Sequence, residues 1–334
     1  MQTIRNAKIL GTGIAIPKNK VTNHDLEAMM DTTDAWIKKR SGIETRFYAS
    51  KDQSTSDLGA EAAKIALKDS SLSAQDIDLI ITATLSPDHH FPGIGVLIQK
   101  KLGLETTPSM DIRNQCSGFL YSVKTAQALI AARQYDRIMI VSAEIHSKLI
   151  NLSTEGRDVA VLFGDGAGAI VLEGTEDPKT GVLDCHLYSQ GEFADKLWIE
   201  RPGTTKEKFM TPEDIKIGSH FPYMEGRQVF KNATSRLCQA VKSILDKNQI
   251  LPSDVNHFLF HQANLRINEF VGAQLELDMS KVHNNIHKYG NCSAASLPIL
   301  LHECIKSGKI KRGETMLLAA FGAGFTWGSC IIKY

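Results

Sequence analysis

The sequence predicts an α/β protein. Three observations carry the prediction: apolar β-rich runs alternate with segments of helical period, the alternation occurs twice, and each round closes on a glycine turn feeding an apolar strand. The first round runs through DLIITATL, a helix from Leu97 to Leu104, PSMDIR, a long helix after Cys116, and RIMIVSAE. The second runs through HFLFHQAN, a helix after Arg266, a helix from Ser296 to Ser307, and TMLLAAFGAG. The closures are GDGAGAIVLEG from Gly164 and FGAGFTWGSCIIKY from Phe321.

A local match sharpens the doubling. SLSAQDIDLIITAT (Ser71 to Thr84) parallels QILPSDVNHFLFHQ (Gln249 to Gln262), each with a helix end, an acidic residue and a strand. The expected organisation is a first half over residues 1–174 and a second half over 227–334. The polar, Pro- and Gly-containing stretch 175–226 is expected as a connection and surface flap.

Bulk properties narrow the function. With 38 basic and 37 acidic residues among 334, the net charge is +1, so neither nucleic acid nor a membrane surface is expected as a general partner. An anionic ligand must be met locally. MQTIRNAKILGTGIAIP reads as a short strand ending in glycine turns and lacks the apolar core and cleavage site of a signal peptide. No apolar run reaches the ~18 residues of a membrane span, so a soluble cytoplasmic protein is expected. Six cysteines at irregular spacing, without CxxC pairs, argue against disulfides and zinc and leave one thiol free for chemistry.

Cys116 is the candidate nucleophile. In PSMDIRNQCSGFLYSVKTAQALIAARQ an extended segment turns sharply and becomes a helix immediately after the cysteine. Backbone N–H groups and the dipole at such a start favour a thiolate and can hold an oxyanion. Cys185, Cys238, Cys304 and Cys330 fall in strand or helix interiors and read as small buried apolar residues. Cys292, in GNCSAAS, occupies a turn like that of Cys116 and is a genuine decoy. His261 closes the strand HFLF where α/β folds expose side chains to a crevice. HQANLR and YGNCSAASLP bring further amide and imidazole groups to strand-to-helix corners, with Asn291 thirty positions beyond His261.

Other motifs carry less. GDGAGAIV and GTGIAIP lack the strand, G-x-G-x-x-G and helix order of a dinucleotide loop, because their glycines run into β-type residues. His283 and His287 have i, i+4 spacing but no glutamate and no third ligand. His89 and His90 read as loop residues, and no metal site is expected.

Together these segments resemble the β-ketoacyl-acyl carrier protein synthase III family. TTDAWIKKRSGIETR, the Cys116 turn, GRDVAVLFGDGAGAIVL, MEGRQVFK, HQANLRI, GNCSAASLP and AFGAGFTWGS occur in the family's order and nearly span the chain. The resemblance implies a thiolase fold, a five-layered αβαβα arrangement of two duplicated halves, assembled as a homodimer. It implies a decarboxylative Claisen condensation of an acyl-CoA with a malonyl thioester, on carrier protein or coenzyme A, initiating fatty acid synthesis. No cofactor is implied beyond the coenzyme A thioester substrate.

By position, the resemblance makes Cys116 the nucleophile and His261 and Asn291 the pair promoting decarboxylation. It gives the oxyanion donors as the backbone N–H groups of Cys116 and Ala323, where an alanine replaces the usual glycine of FGAG. Trp36, Arg40 and Arg157 match a clamp on the coenzyme A nucleotide, with Asn264 near the pantetheine arm. An indole and a guanidinium can sandwich adenine, and arginine pairs with phosphate. Phe91 matches a residue inserted into the partner's acyl pocket, and Arg266 a cation receiving the acidic carrier protein.

Three departures concern the substrate. DIRNQCSGFLY replaces a small-residue pattern, Arg227 replaces a small amide in MEGRQVFK, and AEIHSKLINLSTEGR is about two residues longer than in common acetyl-CoA-using members. There, and in LSPDHH, the chain is similar to the anthraniloyl-CoA-using condensing enzyme of quinolone-signal biosynthesis. An acetyl, medium-chain or aromatic starter all remain open, as does a non-condensing acyltransferase, although intact His261 and Asn291 favour condensation.

Overall fold

The computed structural model describes residues 5–334. The first four residues of the N-terminal segment discussed above lie outside them. Two five-stranded sheets organise the chain. The first has the spatial order Asn6–Ala15, Gly166–Thr175, Arg137–Glu144, Leu79–Ala83, Ser109–Ile112. The second has Val282–His283, His257–Phe260, Thr315–Gly322, Thr326–Lys333, Gly181–Ser189. Each joins three parallel strands to two antiparallel ones, so the doubling expected from the sequence is a doubling of topology.

The matched segments sit in equivalent places. Short helical turns at Ala74–Asp76 and Pro252–Asp254 precede the strands Leu79–Ala83 and His257–Phe260. The two glycine closures become the antiparallel strands Gly166–Thr175 and Thr326–Lys333.

Period-two alternation builds the layers. In Arg137–Glu144, Ile138 and Ile140 face a central core while Met139 and Val141 face an outer one with Leu58, Ala62 and Ala66 of the Thr55–Ser70 helix. In Thr315–Gly322, Leu318 and Ala320 face the same central core while Leu317 and Ala319 meet Leu237, Val241 and Ile244 of the Gly226–Asn248 helix. Two helices fill the centre: Gly118–Ala131, through Phe119, Leu120 and Val123, and Ser296–Lys306, through Leu297, Leu300 and Leu301. This is the αβαβα sandwich of a thiolase fold.

Two expectations need revision. Gly181–Ser189, placed in the 175–226 connection, is an edge strand of the second sheet, paired along Thr326–Lys333. Its alternation is obscured by Asp184, which forms an ion pair with Lys247. The glycines of GTGIAIP are not turns but interior residues of the strand Asn6–Ala15. A Cβ at Gly11 would lie 2.6 Å from Ser70 N, and one at Gly13 2.3 Å from Ala62 O, so the Thr55–Ser70 helix packs directly on bare backbone.

That contact is testable. Gly13→Ala should lower the urea midpoint, with a loss of ~1–3 kcal/mol typical of overpacking. An unchanged midpoint would mean that strand and helix separate without cost.

Candidate active site

Cys116 lies in a tight helical turn, Gln115–Ser117, that leads into the buried Gly118–Ala131 helix. Gln115 has φ +42°, a strained conformation for a residue with a side chain, and it swings the chain from the strand Ser109–Ile112 into the helix. The second half repeats this elbow: Ser293 has φ +45° in the turn Ser293–Ala295, which leads into Ser296–Lys306.

Aligning the two turns places Ser293 opposite Gln115 and Ala294 opposite Cys116. Cys292 then corresponds to Asn114, at the residue before the turn. The decoy therefore shares the motif but sits two residues out of register, and it lines neither of the two cavities at Cys116. Gly322 seals the nucleophile turn, since a Cβ there would come within 2.9 Å of Cys116 N and Cβ.

Ser293 is a site residue that sequence reasoning missed. Its hydroxyl donates to Cys116 Sγ across 3.4 Å. The GNCSAAS motif flagged the turn but not which of its residues faces the thiol. Burial pushes the Cys116 thiol up to about 12, against the Ser293 hydrogen bond. Desolvation thus opposes the thiolate that the helix start favours.

His261 and Asn291 line the same cavity as Cys116, of about 350 Å³. Asn291 is oriented by its Oδ1, which accepts from Ser293 N–H at 2.8 Å and leaves the Nδ2 donors free to turn elsewhere. His261 Nδ1 lies 2.6 Å from Ser296 Oγ, and Gln262 N–H donates to the same oxygen at 3.3 Å. Among the described residues Nδ1 is the only acceptor this hydroxyl reaches, so its proton goes to Nδ1 and the ring proton sits on Nε2. Burial lowers the His261 pKa to about 3, keeping the imidazole neutral. Nε2 is buried and has no hydrogen-bond partner among the described residues. Ser296 was also missed, because its spacing shows only a helix start.

The remaining candidates are distributed around this centre. Trp36, Arg40, Asn264 and Arg266 line the 350 Å³ cavity, as does Arg227. The guanidinium carbons of Arg40 and Arg157 lie 4.7 and 5.2 Å from the centre of the Trp36 ring. Arg157 Nη1 donates to Asp31 O at 2.6 Å, so its partner is Asp31 and not the adjacent Asp158. Asn264 caps the Leu265–Gln274 helix through Arg266 N–H, and its Nδ2 donates to Arg40 O at 2.9 Å. Arg266 stands over Phe230, 5.8 Å from the ring centre.

Behind Cys116 a second cavity of about 280 Å³ is lined by Ala323, Arg113 and His146 among others. Phe91 lines neither cavity at Cys116 and is 81% exposed. His283 faces His257, with 2.9 Å between ring nitrogens.

Thiol chemistry tests this arrangement. Iodoacetamide should alkylate Cys116 and leave Cys292 unmodified, with a rate rising about tenfold per pH unit from pH 7 to 9, because a raised pKa keeps the thiolate a minor species throughout. Ser293→Ala should slow alkylation roughly tenfold, the scale of one hydrogen bond to a charged group. A plateau below pH 8 would mean that the helix start outweighs burial.

Comparison with known proteins agrees with the geometry. The family profile described as 3-oxoacyl-[acyl-carrier-protein] synthase III matches residues 110–191, and the profile for the C-terminal part of the same family matches residues 245–334. The β-ketoacyl-[acyl-carrier-protein] synthase III of Sulfurovum sp. is 39% identical over 332 residues, covering 98% of this chain and 96% of its own. That of Caldanaerobacter subterraneus subsp. tengcongensis is 40% identical over 328 residues, 98% of each chain. The crystal structure of 3-oxoacyl-[acyl-carrier-protein] synthase III from Aquifex aeolicus superposes with a TM-score of 0.90 at 37% identity, covering 98% of this chain and all of the other. With such identity sustained from end to end, this chain belongs to the β-ketoacyl-[acyl-carrier-protein] synthase III family of acyltransferases.

Proposed function

We propose that the protein condenses an acyl-CoA starter with malonyl-acyl carrier protein, releasing carbon dioxide and giving the 3-oxoacyl product that opens fatty acid synthesis. The observation that supports this most is the convergence of Cys116, Asn291 and a neutral, Nε2-protonated His261 on one cavity.

In the first half-reaction Cys116 Sγ attacks the thioester carbonyl. The new S–C bond forms, the coenzyme A thiolate leaves, and the proton given up by Cys116 neutralises it. The backbone N–H groups of Cys116 and Ala323 hold the tetrahedral oxyanion; only main chain is needed, so an alanine serves at 323. In the second half-reaction the malonyl carboxylate departs as carbon dioxide and its bonding pair passes into an enolate. His261 Nε2–H and Asn291 Nδ2–H donate to the enolate oxygen. The enolate carbon then attacks the acyl carbon on Cys116, and collapse returns the thiolate. No atom changes hands with an electron carrier, and fixed donors supply the charge stabilisation that a metal could otherwise give.

Substrates are assigned by position. Coenzyme A runs along the 350 Å³ cavity toward Trp36, Arg40 and Arg157, with Asn264 beside its pantetheine arm. Arg266, at the cavity mouth, receives the acidic carrier protein. The acyl chain enters the 280 Å³ cavity behind Cys116. That volume is close to the ~300 Å³ lower bound of ordinary small-molecule pockets, which favours a second reading in which the starter is a medium-chain or aromatic acyl group instead of acetyl. A homodimer gives the exposed Phe91 a partner surface to enter. No helix among the described residues is long and apolar enough to cross a membrane; the cytoplasm, where coenzyme A thioesters are available, is the proposed location.

The two half-reactions should separate. His261→Ala and Asn291→Ala should still load Cys116 from acyl-CoA while malonyl decarboxylation falls by ~2.7–4 kcal/mol in activation free energy, the loss typical of one oxyanion donor. Because burial lowers the His261 pKa to about 3, decarboxylation in the native protein should show no inflection near pH 6.5. Equal loss of both half-reactions would break the assigned division of labour.

The nucleotide site has its own test. Arg40→Ala, Arg157→Ala and Trp36→Ala should each raise KM for acyl-CoA several-fold, with the arginine variants less sensitive to salt. If all three titrate like the parent, coenzyme A binds elsewhere.

A further inference from the structure

The cavity behind Cys116 is mainly apolar, walled by Leu85, Leu149, Phe163, Leu197, Trp198 and Ile199. Arg113, Gln115 and His146 interrupt that character, and of these His146 is the one with a ring atom that is buried and unpaired. His146 is 2% exposed, and its ring stacks on Phe163 with centroids 4.5 Å apart and 23° between planes. Nδ1 lies 3.1 Å from the carbonyl oxygen of Gly164. A carbonyl only accepts, so the ring proton is on Nδ1 and Nε2 is left as a bare acceptor. Nε2 is buried and has no hydrogen-bond partner among the described residues.

The ring is held firmly. His146 N–H donates to Asp165 Oδ1 at 2.7 Å, and the neighbouring Ser147 gives both its N–H and its hydroxyl to the same carboxylate. Burial lowers the His146 pKa to about 4, so the acceptor persists across the neutral range. A base that weak cannot hold the proton of the Cys116 thiol. Two neutral histidines of opposite tautomer therefore serve the two cavities that meet at Cys116: His261 offers a donor and His146 an acceptor. A buried acceptor left unmatched is costly, and a site of this kind discriminates against ligands that leave it unpaired.

We propose that the cavity behind Cys116 selects acyl starters carrying a hydrogen-bond donor, a hydroxyl or an amine, which is accepted by His146 Nε2. The inference rests on the condensing function proposed above and specifies its starter class. His146 lies within AEIHSKLINLSTEGR, one of the segments in which the chain departs from acetyl-CoA-using members of the family.

The test is competitive loading of the full-length protein with matched coenzyme A thioesters, read by mass spectrometry of the Cys116 peptide. The pairs are benzoyl-CoA against 2-, 3- and 4-hydroxybenzoyl-CoA, benzoyl-CoA against 2-, 3- and 4-aminobenzoyl-CoA, and hexanoyl-CoA against its hydroxylated forms. At least one donor-bearing starter should outcompete its parent by roughly 10–100-fold. In His146→Leu that ratio should fall to near one, whereas His146→Gln, which keeps an acceptor, should retain part of it. If every donor-bearing starter loads no faster than its parent, or the preference survives in His146→Leu, the starter assignment is wrong. Should His146→Leu not fold, the native protein's panel and the glutamine variant still decide it. Failure of every thioester to acylate Cys116 would overturn the condensing function itself, an outcome distinct from efficient loading by unsubstituted starters alone.

Discussion

Two helix starts meeting in the middle of the molecule fix the position of every group at the site. Gln115 and Ser293 take matching left-handed conformations, and the turns they create abut each other. A Cβ on Gly118 would lie 3.0 Å from Ala83 and 3.7 Å from the Ala294 methyl, so the interface leaves little slack. Glu144, at the end of a first-sheet strand, orders the chain on the first-half side of the junction. Its carboxylate takes the Thr84 hydroxyl, the Leu85 and Ser86 N–H groups and the Ser86 hydroxyl. The thiol belongs to one half, and His261 and Asn291 to the other. A site made this way is only as precise as the packing between halves, and that packing is a continuous buried apolar core.

Burial then decides the charges. The same desolvation that raises Cys116 lowers His261 and His146, so the thiol and both imidazoles rest neutral. Glu144 is pushed up to about 7 by burial even with its donors, and its charge raises Cys116 further. A pocket that holds no charged thiolate or imidazolium at rest suits chemistry in which anions exist only in passing. Oriented N–H and O–H donors stabilise such charge when it forms and need little reorganisation to do so. The cost falls on nucleophile activation, since the proton must leave Cys116 as the thioester arrives.

The layered fold was legible because period-two strands and the repeated helix-end, acidic residue and strand pattern are local properties of the chain. Cys116 and His261 stood out because each lies where a strand gives way to a helix, whereas the pairing of His261 with Asn291 came from the resemblance to the family and not from spacing. What escaped depended on tertiary contact. Cys292 and Cys116 share a Cys-Ser pair in similar turns, and only the backbone angles reveal the two-residue offset between them. Ser293, Ser296 and His146 act through one ring nitrogen or one sulfur, and nothing in their spacing states which partner each will meet. Gly11 and Gly13 look like turn residues because the helix that excludes a side chain from them lies more than 40 positions away. Arg157 has a neighbouring aspartate in sequence, yet its hydrogen bond runs to Asp31 O, 126 positions away.

That last contact bears on how a nucleotide would enter the proposed site. Arg40 and Arg157 both stand within cation–π range of Trp36, and Arg157 is further tied by its bond to the Asp31 carbonyl. An adenine that stacks on an indole face now covered by a guanidinium takes that guanidinium's place. The displaced arginine loses a π contact and gains a phosphate, so the base and the phosphates bind as linked events, neither strong alone. Such a site would give modest, salt-sensitive affinity for the nucleotide and leave discrimination to the acyl end, where the second cavity and the unmatched His146 acceptor lie. For an enzyme meeting many coenzyme A thioesters that share one handle, that is where selectivity must reside.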